Sequence, residues 1–341
     1  VRVTTPDEEV VGRSAGHGPA ATGAAACLDI ASLGGTTMGT NWSAKLVLPR
    51  QRDLHPLHAG IQAQLDAVVA QMSTWETDSD ISRYNRAPAG SWCPLPAQAR
   101  TVLACAQEVA AASDGAFDPT VGPLVALWGF GAHAAARTLP DEHALAATRA
   151  RCGWQRLQWQ DARLLQPGGV ELDLSAIAKG FGVDEVVRWL RAQGIVAALV
   201  EVGGELHGYG RKPDGQPWRV LVESAPEEDA STTTPPRVLA LDDRAVATSG
   251  DRWHQYRQGG MQVSHSLDPR SGRPVQRAAA AVTVVAADAM HADAWATALT
   301  VLGCEAGLAL ATRLGLAARF LERSEGGPRE TLTPSFETLL A

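Results

Sequence analysis

A carboxylate and a hydroxyl stand four residues apart in Met290-His291-Ala292-Asp293-Ala294-Trp295-Ala296-Thr297, directly after the strand-like run Val282-Thr283-Val284-Val285. At a helix start, that spacing projects the oxygens of Asp293 and Thr297 from one face. Mg2+ takes oxygen ligands in octahedral geometry, commonly one or two carboxylates with water and phosphate completing the shell, and the pair suits such an ion. The competing reading is structural: Asp293 caps the helix and Thr297 bonds back to a carbonyl. These two residues alone favour the structural reading.

Two further strings carry groups that could act on a phosphate ester. Asp173-Leu174-Ser175-Ala176-Ile177-Ala178-Lys179-Gly180-Phe181-Gly182-Val183-Asp184 reads as a strand end turning into a helix. Such a start offers free backbone N–H groups to an anion, and Lys179 adds a point charge suited to phosphate. An ordinary cap with Lys179 in solvent is the plainer meaning. Val263-Ser264-His265-Ser266-Leu267-Asp268-Pro269-Arg270-Ser271-Gly272 puts His265 on a strand entering a tight turn. A histidine is the natural general base for a hydroxyl nucleophile, and a histidine bonded to its own turn is the alternative. Trp75, in Met72-Ser73-Thr74-Trp75, could stack on a flat ring or sit in the core with others of the ten tryptophans. Gly203-Gly204 and Gly115-Ala116-Phe117-Asp118-Pro119-Thr120 are ambiguous between close ligand approach and ordinary turn chemistry.

The elements that must position these groups follow from periodicity. Leu57, Ile61, Leu65, Val68, Val69 and Met72 recur at helical spacing. Further helices are expected over 97–112, 141–151, 177–193, 292–302 and 305–314. A strand pair is expected over 156–165. Strands over 196–202, 218–223, 238–241, 245–248 and 279–286 make the second half sheet-rich, with a proline-bearing surface loop at 226–237. Blocks of helices and hairpin-like strands predict an α+β fold with mixed sheets and packed helices. No GxGxxG in a βαβ context and no GxxxxGK[ST] occurs, which disfavours Rossmann and P-loop nucleotide sites.

The chain of 341 residues, 45% of them hydrophobic, can bury a large core. A net charge of −7 leaves no basic surplus for a nucleic acid, so no nucleic-acid partner is expected. Five scattered cysteines show neither CxxC nor Cys/His ligand spacing. No stretch approaches the ~20 apolar residues of a membrane span. Residues 1–35 read as a flexible, low-complexity N-terminal segment, and 36–341 as one catalytic domain. Ala24-Ala25-Ala26-Cys27 faintly resembles a lipoprotein cleavage site but lacks the apolar segment before it. No signal peptide is visible in the chain as given, which reads as cytoplasmic by default.

In order along the chain, Thr37-Met38-Gly39-Thr40, residues 72–85, residues 115–131, Asp173 to Asp184, Val202-Gly203-Gly204, Thr248-Ser249-Gly250, residues 264–272 and residues 292–299 resemble the ApbE-type FAD:protein FMN transferase family. The resemblance implies an α+β catalytic unit that binds FAD in an elongated cleft. It places FAD contacts on Met38, Trp75, Ala116, Phe117, Asp118, Asp173, Lys179 and Leu267. It places Mg2+ on Asp293, the Thr297 hydroxyl and the carbonyls of Ala176 and Ala296. His265 becomes the base for transfer of FMN to a Thr or Ser of an acceptor redox flavoprotein, with release of AMP. Two departures stand out: the family often has Tyr at Trp75, and some relatives carry a carboxylate at Ala296. An FAD pyrophosphatase and a non-enzymatic FAD carrier are the competing activities. The resemblance also implies the periplasmic face of the inner membrane as the alternative compartment.

Overall fold

The computed structural model describes residues 28–134, 139–222, 237–250, 255–258, 261–275, 281–323 and 329–340. The chain opens with β1 (Leu28–Thr37) and β2 (Thr40–Pro49), followed by α1 (His55–Met72), α2 (Asp80–Asn85), β3 (Trp92–Pro94) and α3 (Ala97–Ala112). Next come α4 (Gly122–Leu127), α5 (Glu142–Arg149), β4 (Trp159–Gln160), β5 (Arg163–Leu165) and α6 (Ala178–Ala192). The strand-rich part holds β6 (Ala198–Val202), β7 (Glu205–Tyr209), β8 (Trp218–Val222), β9 (Arg237–Leu241) and β10 (Arg244–Ser249). It continues through β11 (Gln255–Gln258), β12 (Met261–Ser264), β13 (Leu267–Asp268), β14 (Arg273–Pro274) and β15 (Ala281–Ala286). The chain closes with α7 (Ala289–Arg313), β16 (Ala317–Glu322), β17 (Arg329–Leu332) and α8 (Pro334–Glu337).

Eight strands form the main sheet in the order β1-β2-β6-β7-β10-β15-β16-β17. Each of its ladders is antiparallel. The α+β class therefore holds, and what is mixed is helix with sheet rather than strand direction. Strand alternation divides the core between two faces. Ala198, Val200, Val202, Ala245 and Ala247 face the helices α1, α6 and α7, whereas Leu199, Leu206, Val246 and Val285 face the β8–β9 hairpin and Phe336 of α8.

Local chemistry explains the element ends. α1 buries Leu57, Ile61, Leu65, Val68 and Met72, the predicted stripe. α6 stops at Gly194 (φ 76°), where the Ile195 N–H reaches back to the Leu190 carbonyl. Two C-terminal helices predicted from sequence run on as α7, which breaks at Gly303 (φ 75°, ψ 177°). α7 is apolar and long enough to cross a membrane, yet it lies in the core and carries the buried Asp293.

Several sequence expectations shift. β1 begins at Leu28, inside the segment read as a flexible lead-in to residue 35; pairing with β2 orders it. That strand escapes pattern reading because it sits at a sheet edge with Leu28 and Ile30 exposed. Its edge is blunted by α1: His58 Nε2 lies 3.1 Å from the Gly34 carbonyl oxygen, and Gln62 Nε2 donates to the Thr36 carbonyl. The predicted loop at 226–237 lies outside the described residues up to 236, as do residues 1–27, including the Ala24 to Cys27 string.

Candidate active site

The starts of α6 and α7 meet where Gly180 packs against Asp293. A Cβ on Gly180 would lie 2.1 Å from the Ala289 carbonyl oxygen and 2.9 Å from the Asp293 Cβ, so only glycine admits this approach. The Gly180 N–H donates to Asp293 Oδ2 at 3.1 Å. In a regular helix that N–H would go to the carbonyl of Ala176, four residues back. Diverting it leaves the Ala176 carbonyl with no hydrogen bond among the described residues. Gly180→Ala is expected to force the helices apart at a cost of about 1–3 kcal/mol. A lowered denaturation midpoint checks this, and a midpoint equal to that of the parent chain would contradict the packing.

Both structural alternatives for the Asp293–Thr297 pair give way. Asp288, not Asp293, caps α7, accepting the His291 N–H at 2.8 Å. Thr300, not Thr297, bonds back along the helix, donating its hydroxyl to the Ala296 carbonyl at 2.8 Å. The Thr297 hydroxyl and the second oxygen of Asp293 make no hydrogen bond among the described residues. The Ala296 carbonyl, by contrast, is already committed to Thr300. No group of three His, Cys, Asp or Glu side chains gathers as a metal cluster among the described residues. One carboxylate, one hydroxyl and an unused carbonyl remain, a hard-oxygen donor set of the kind Mg2+ accepts alongside water and phosphate.

Lys179, one residue before Gly180, turns its ammonium to Glu205 at the start of β7, with Nζ 2.5 Å from Oε1. Burial alone would lower the Lys179 pKa, but the carboxylates of Asp293 and Glu205 override it and hold the ammonium well above its usual range. Burial raises the carboxyl pKa of Glu205 against the pull of Lys179, and it raises that of Asp293 against Lys179 and the Gly180 N–H. The β6–β7 turn closes this corner. A Cβ on Gly203 (φ 61°) would lie 2.8 Å from Thr40 Cγ2 and 3.4 Å from Lys179 Cδ. Met38, in left-handed backbone (φ 48°) at the β1–β2 turn, packs its Cε toward Gly182 of α6. Ile177, the N-cap of α6, makes no side-chain cap and the first turn of that helix holds no acidic residue, so the electropositive start is met by Asp293 from α7.

A shallow cleft is lined by Thr74, Asn85, Phe130, His133, Glu171 and Asp173, among others. Trp75, next to Thr74, is 69% exposed, so the core reading of this tryptophan is wrong. His265 lies just past the end of β12 rather than on it, edge-on to Phe130 with ring centroids 6.4 Å apart. Leu267 is buried beside Trp128 and Val263. The Asp173 N–H donates to the Pro119 carbonyl at 2.9 Å, tying the Ala116-Phe117-Asp118 turn to the same wall.

The side chains of that turn point inward. Ala116 and Phe117 are core residues. Asp118 spends Oδ1 on the Thr120 N–H and hydroxyl and Oδ2 on the Trp154 N–H, while burial raises its pKa against those bonds. A ligand contact from these three would come through backbone atoms. By element, Met38 lies at the β1–β2 turn, Ala176 and Lys179 at the start of α6, and Asp293, Ala296 and Thr297 on α7; Asp173 lines the cleft, Trp75 follows its Thr74, His265 stands edge-on to its Phe130, Leu267 packs with Trp128, and 116–118 form a buried turn.

Two residues of this region have no role assigned from the sequence. Glu205 follows Gly203-Gly204, and a charge at an inward strand position was the available signal. Asp184, the last residue of its string, accepts the N–H groups of Ala289 and Met290, each at 2.9 Å, and so joins α6 to the first turn of α7. The same turn carries a pH-sensitive pair. His291 Nδ1 lies 2.7 Å from Asp288 Oδ1, and this bond, with a further one to Cys105, pushes the imidazole pKa up to about 10. Because the folded value exceeds the unfolded one, about 6.5, the pair's stabilisation is full below that pH and disappears as pH rises through about 10. An NMR titration of His291 is expected to show the raised midpoint, and Asp288→Asn to lower it. A midpoint near that of free histidine in the unsubstituted chain would refute the assignment.

The described residues form an α+β frame in which the starts of α6 and α7 meet at a buried carboxylate with an ammonium acting on it. Residues 38–320 match the model of the ApbE family, and the chain belongs to that family. It is 36% identical over 311 residues to the FAD:protein FMN transferase of Vibrio cholerae, covering 91% of this chain and 92% of that one. The FAD:protein FMN transferase of Escherichia coli K12 is 33% identical over 317 residues, with coverage of 92% and 90%. Among solved structures, the apo form of the Pseudomonas stutzeri flavinyl transferase ApbE superimposes with a TM-score of 0.85 at 39% identity, covering 92% of this chain and 97% of that one. The Vibrio cholerae flavin transferase ApbE gives 0.84 at 36% identity, with coverage of 92% and 100%.

Proposed function

We propose that this protein is an FAD:protein FMN transferase that depends on Mg2+ and moves the FMN half of FAD to a Thr or Ser hydroxyl of an acceptor redox flavoprotein, releasing AMP. The observation that carries the reading is that Asp293 accepts the Gly180 N–H with one oxygen and keeps the other unused, at a helix start whose Ala176 carbonyl has no donor among the described residues and whose Lys179 ammonium it acts on. Asp293, Thr297 and the Ala176 carbonyl would hold the metal. The Ala296 carbonyl would join them only by sharing its oxygen with Thr300. When bound, Mg2+ supplies Lewis-acid neutralisation of charge on the diphosphate.

The chain's own residues account for the rest. Lys179 neutralises phosphate charge as a fixed cation. Trp75 offers an exposed ring to stack on flavin, at a position where the family resemblance implies that tyrosine is often found. The acceptor oxygen forms a bond to the FMN-side phosphorus, its proton passes to His265, and the bond from that phosphorus to the AMP oxygen breaks. The Asp173 segment lines the cleft, and backbone atoms of 116–118, in the turn tied to it through the Pro119 carbonyl, would meet the remaining length of FAD.

Incubation with FAD, Mg2+ and a candidate acceptor, followed by intact-mass measurement, tests the whole reading. An FMN-sized increment on the acceptor with AMP in solution is expected. Free FMN with AMP and an unmodified acceptor would make the protein a pyrophosphatase, and FAD retained intact would make it a carrier.

A further inference from the structure

The ion pair between Lys179 and Glu205 has a charge consequence for the neighbouring carboxylate. Lys179 stands among two carboxylates, touching Glu205 at 2.5 Å and interacting electrostatically with Asp293. Its stem runs over Gly203, where any side chain would strike it or Thr40, and its head ends on Glu205. The Lys179 side chain is 29% exposed while that of Glu205 is only 5% exposed, so the carboxylate is the more deeply fixed partner. Glu205 Oε2 is buried with no hydrogen-bond partner among the described residues.

A lone ammonium beside Asp293 would cancel its charge and repel any divalent cation arriving there. Yet a phosphate-handling site needs the ammonium and the metal together. We infer that Glu205 is a positioning residue: it anchors Lys179 and offsets its charge, so that Asp293 keeps a net negative charge for a divalent cation while the ammonium stays in the site. The inference rests on the metal reading of Asp293 given above. It concerns charge balance, so it predicts a pattern across variants that loss of packing alone would not produce.

The test is Mn2+ binding to the full chain without FAD, followed by electron paramagnetic resonance at one pH held fixed across the variants. Glu205→Gln is expected to weaken Mn2+ about tenfold, which is about 1.4 kcal/mol. Lys179→Met should tighten it, and the double variant should return to within about threefold of the parent protein, because one charge of each sign has gone. Flavin transfer by Glu205→Gln should show the loss in the Mg2+ requirement rather than in KM for FAD.

Unchanged Mn2+ affinity in a folded Glu205→Gln overturns the proposal. Should that variant fail to fold, Lys179→Met and the double variant decide between them, since neither leaves a buried ammonium unpaired. Equal affinity in those two also overturns it. Failure of the metal reading looks different: the parent protein would bind no Mn2+, or Asp293→Asn would bind it as well as the parent.

Discussion

Asp293→Ala is expected to lower Mg2+-dependent flavin transfer by roughly a thousandfold or more, about 4 kcal/mol of transition-state stabilisation. No concentration of Mg2+ should restore it. The size follows from what the side chain does in one place. It is the only carboxylate on the α7 face shared with Thr297, it receives the Gly180 N–H, and it is one of two negative groups acting on Lys179. Removal leaves a buried ammonium with Glu205 alone and the first turn of α6 with an unused donor. Asp293→Asn separates these effects, because the amide can still accept the Gly180 N–H while offering a much poorer metal ligand. If Asp293→Asn titrates with Mg2+ like the parent protein, the metal does not sit on this residue.

His265→Ala should reduce transfer by about 10²–10⁴-fold, the range for loss of a positioned general base. FAD affinity, followed by flavin fluorescence, is expected to stay within about threefold, since the flavin-stacking and phosphate roles are proposed for Trp75 and Lys179. The substitution also removes a ring from the face of Phe130, so Phe130→Leu serves as the control for packing. A small effect from Phe130→Leu beside a large one from His265→Ala isolates the base. Normal turnover in His265→Ala would take the histidine out of the reaction.

Much of the frame was legible in the sequence because helices with one apolar stripe declare themselves. α1, α3 and α6 fall where periodicity put them, and the break at Gly303 matches two predicted helices. Strands that depend on distant partners were less visible. β1 lies at a sheet edge where most of its inward positions stay half exposed, and β7 is buried at every position between β6 and β10. Uniform burial hides the alternation that marks a strand, and in β1 the small residues Ala31, Gly34 and Gly35 give the alternating burial no apolar signature in the sequence.

By itself the sequence determined which groups are available: a carboxylate and a hydroxyl one helical turn apart, an ammonium at a glycine-flanked helix start, a histidine before a tight turn, and the ordered strings that mark the ApbE family. It left Asp293 and Thr297 open between a cap and a ligand pair, since local spacing is the same for both. Only the tertiary structure separated them. Asp288 takes the cap, Thr300 takes the back-bond, and Gly180, a hundred residues away in sequence, delivers its N–H to Asp293 and frees the Ala176 carbonyl. The same long-range packing brings Glu205 to Lys179. Which donor each buried oxygen receives depends on how the helices and sheet pack, because hydrogen-bond partners are fixed in space and not by position along the chain.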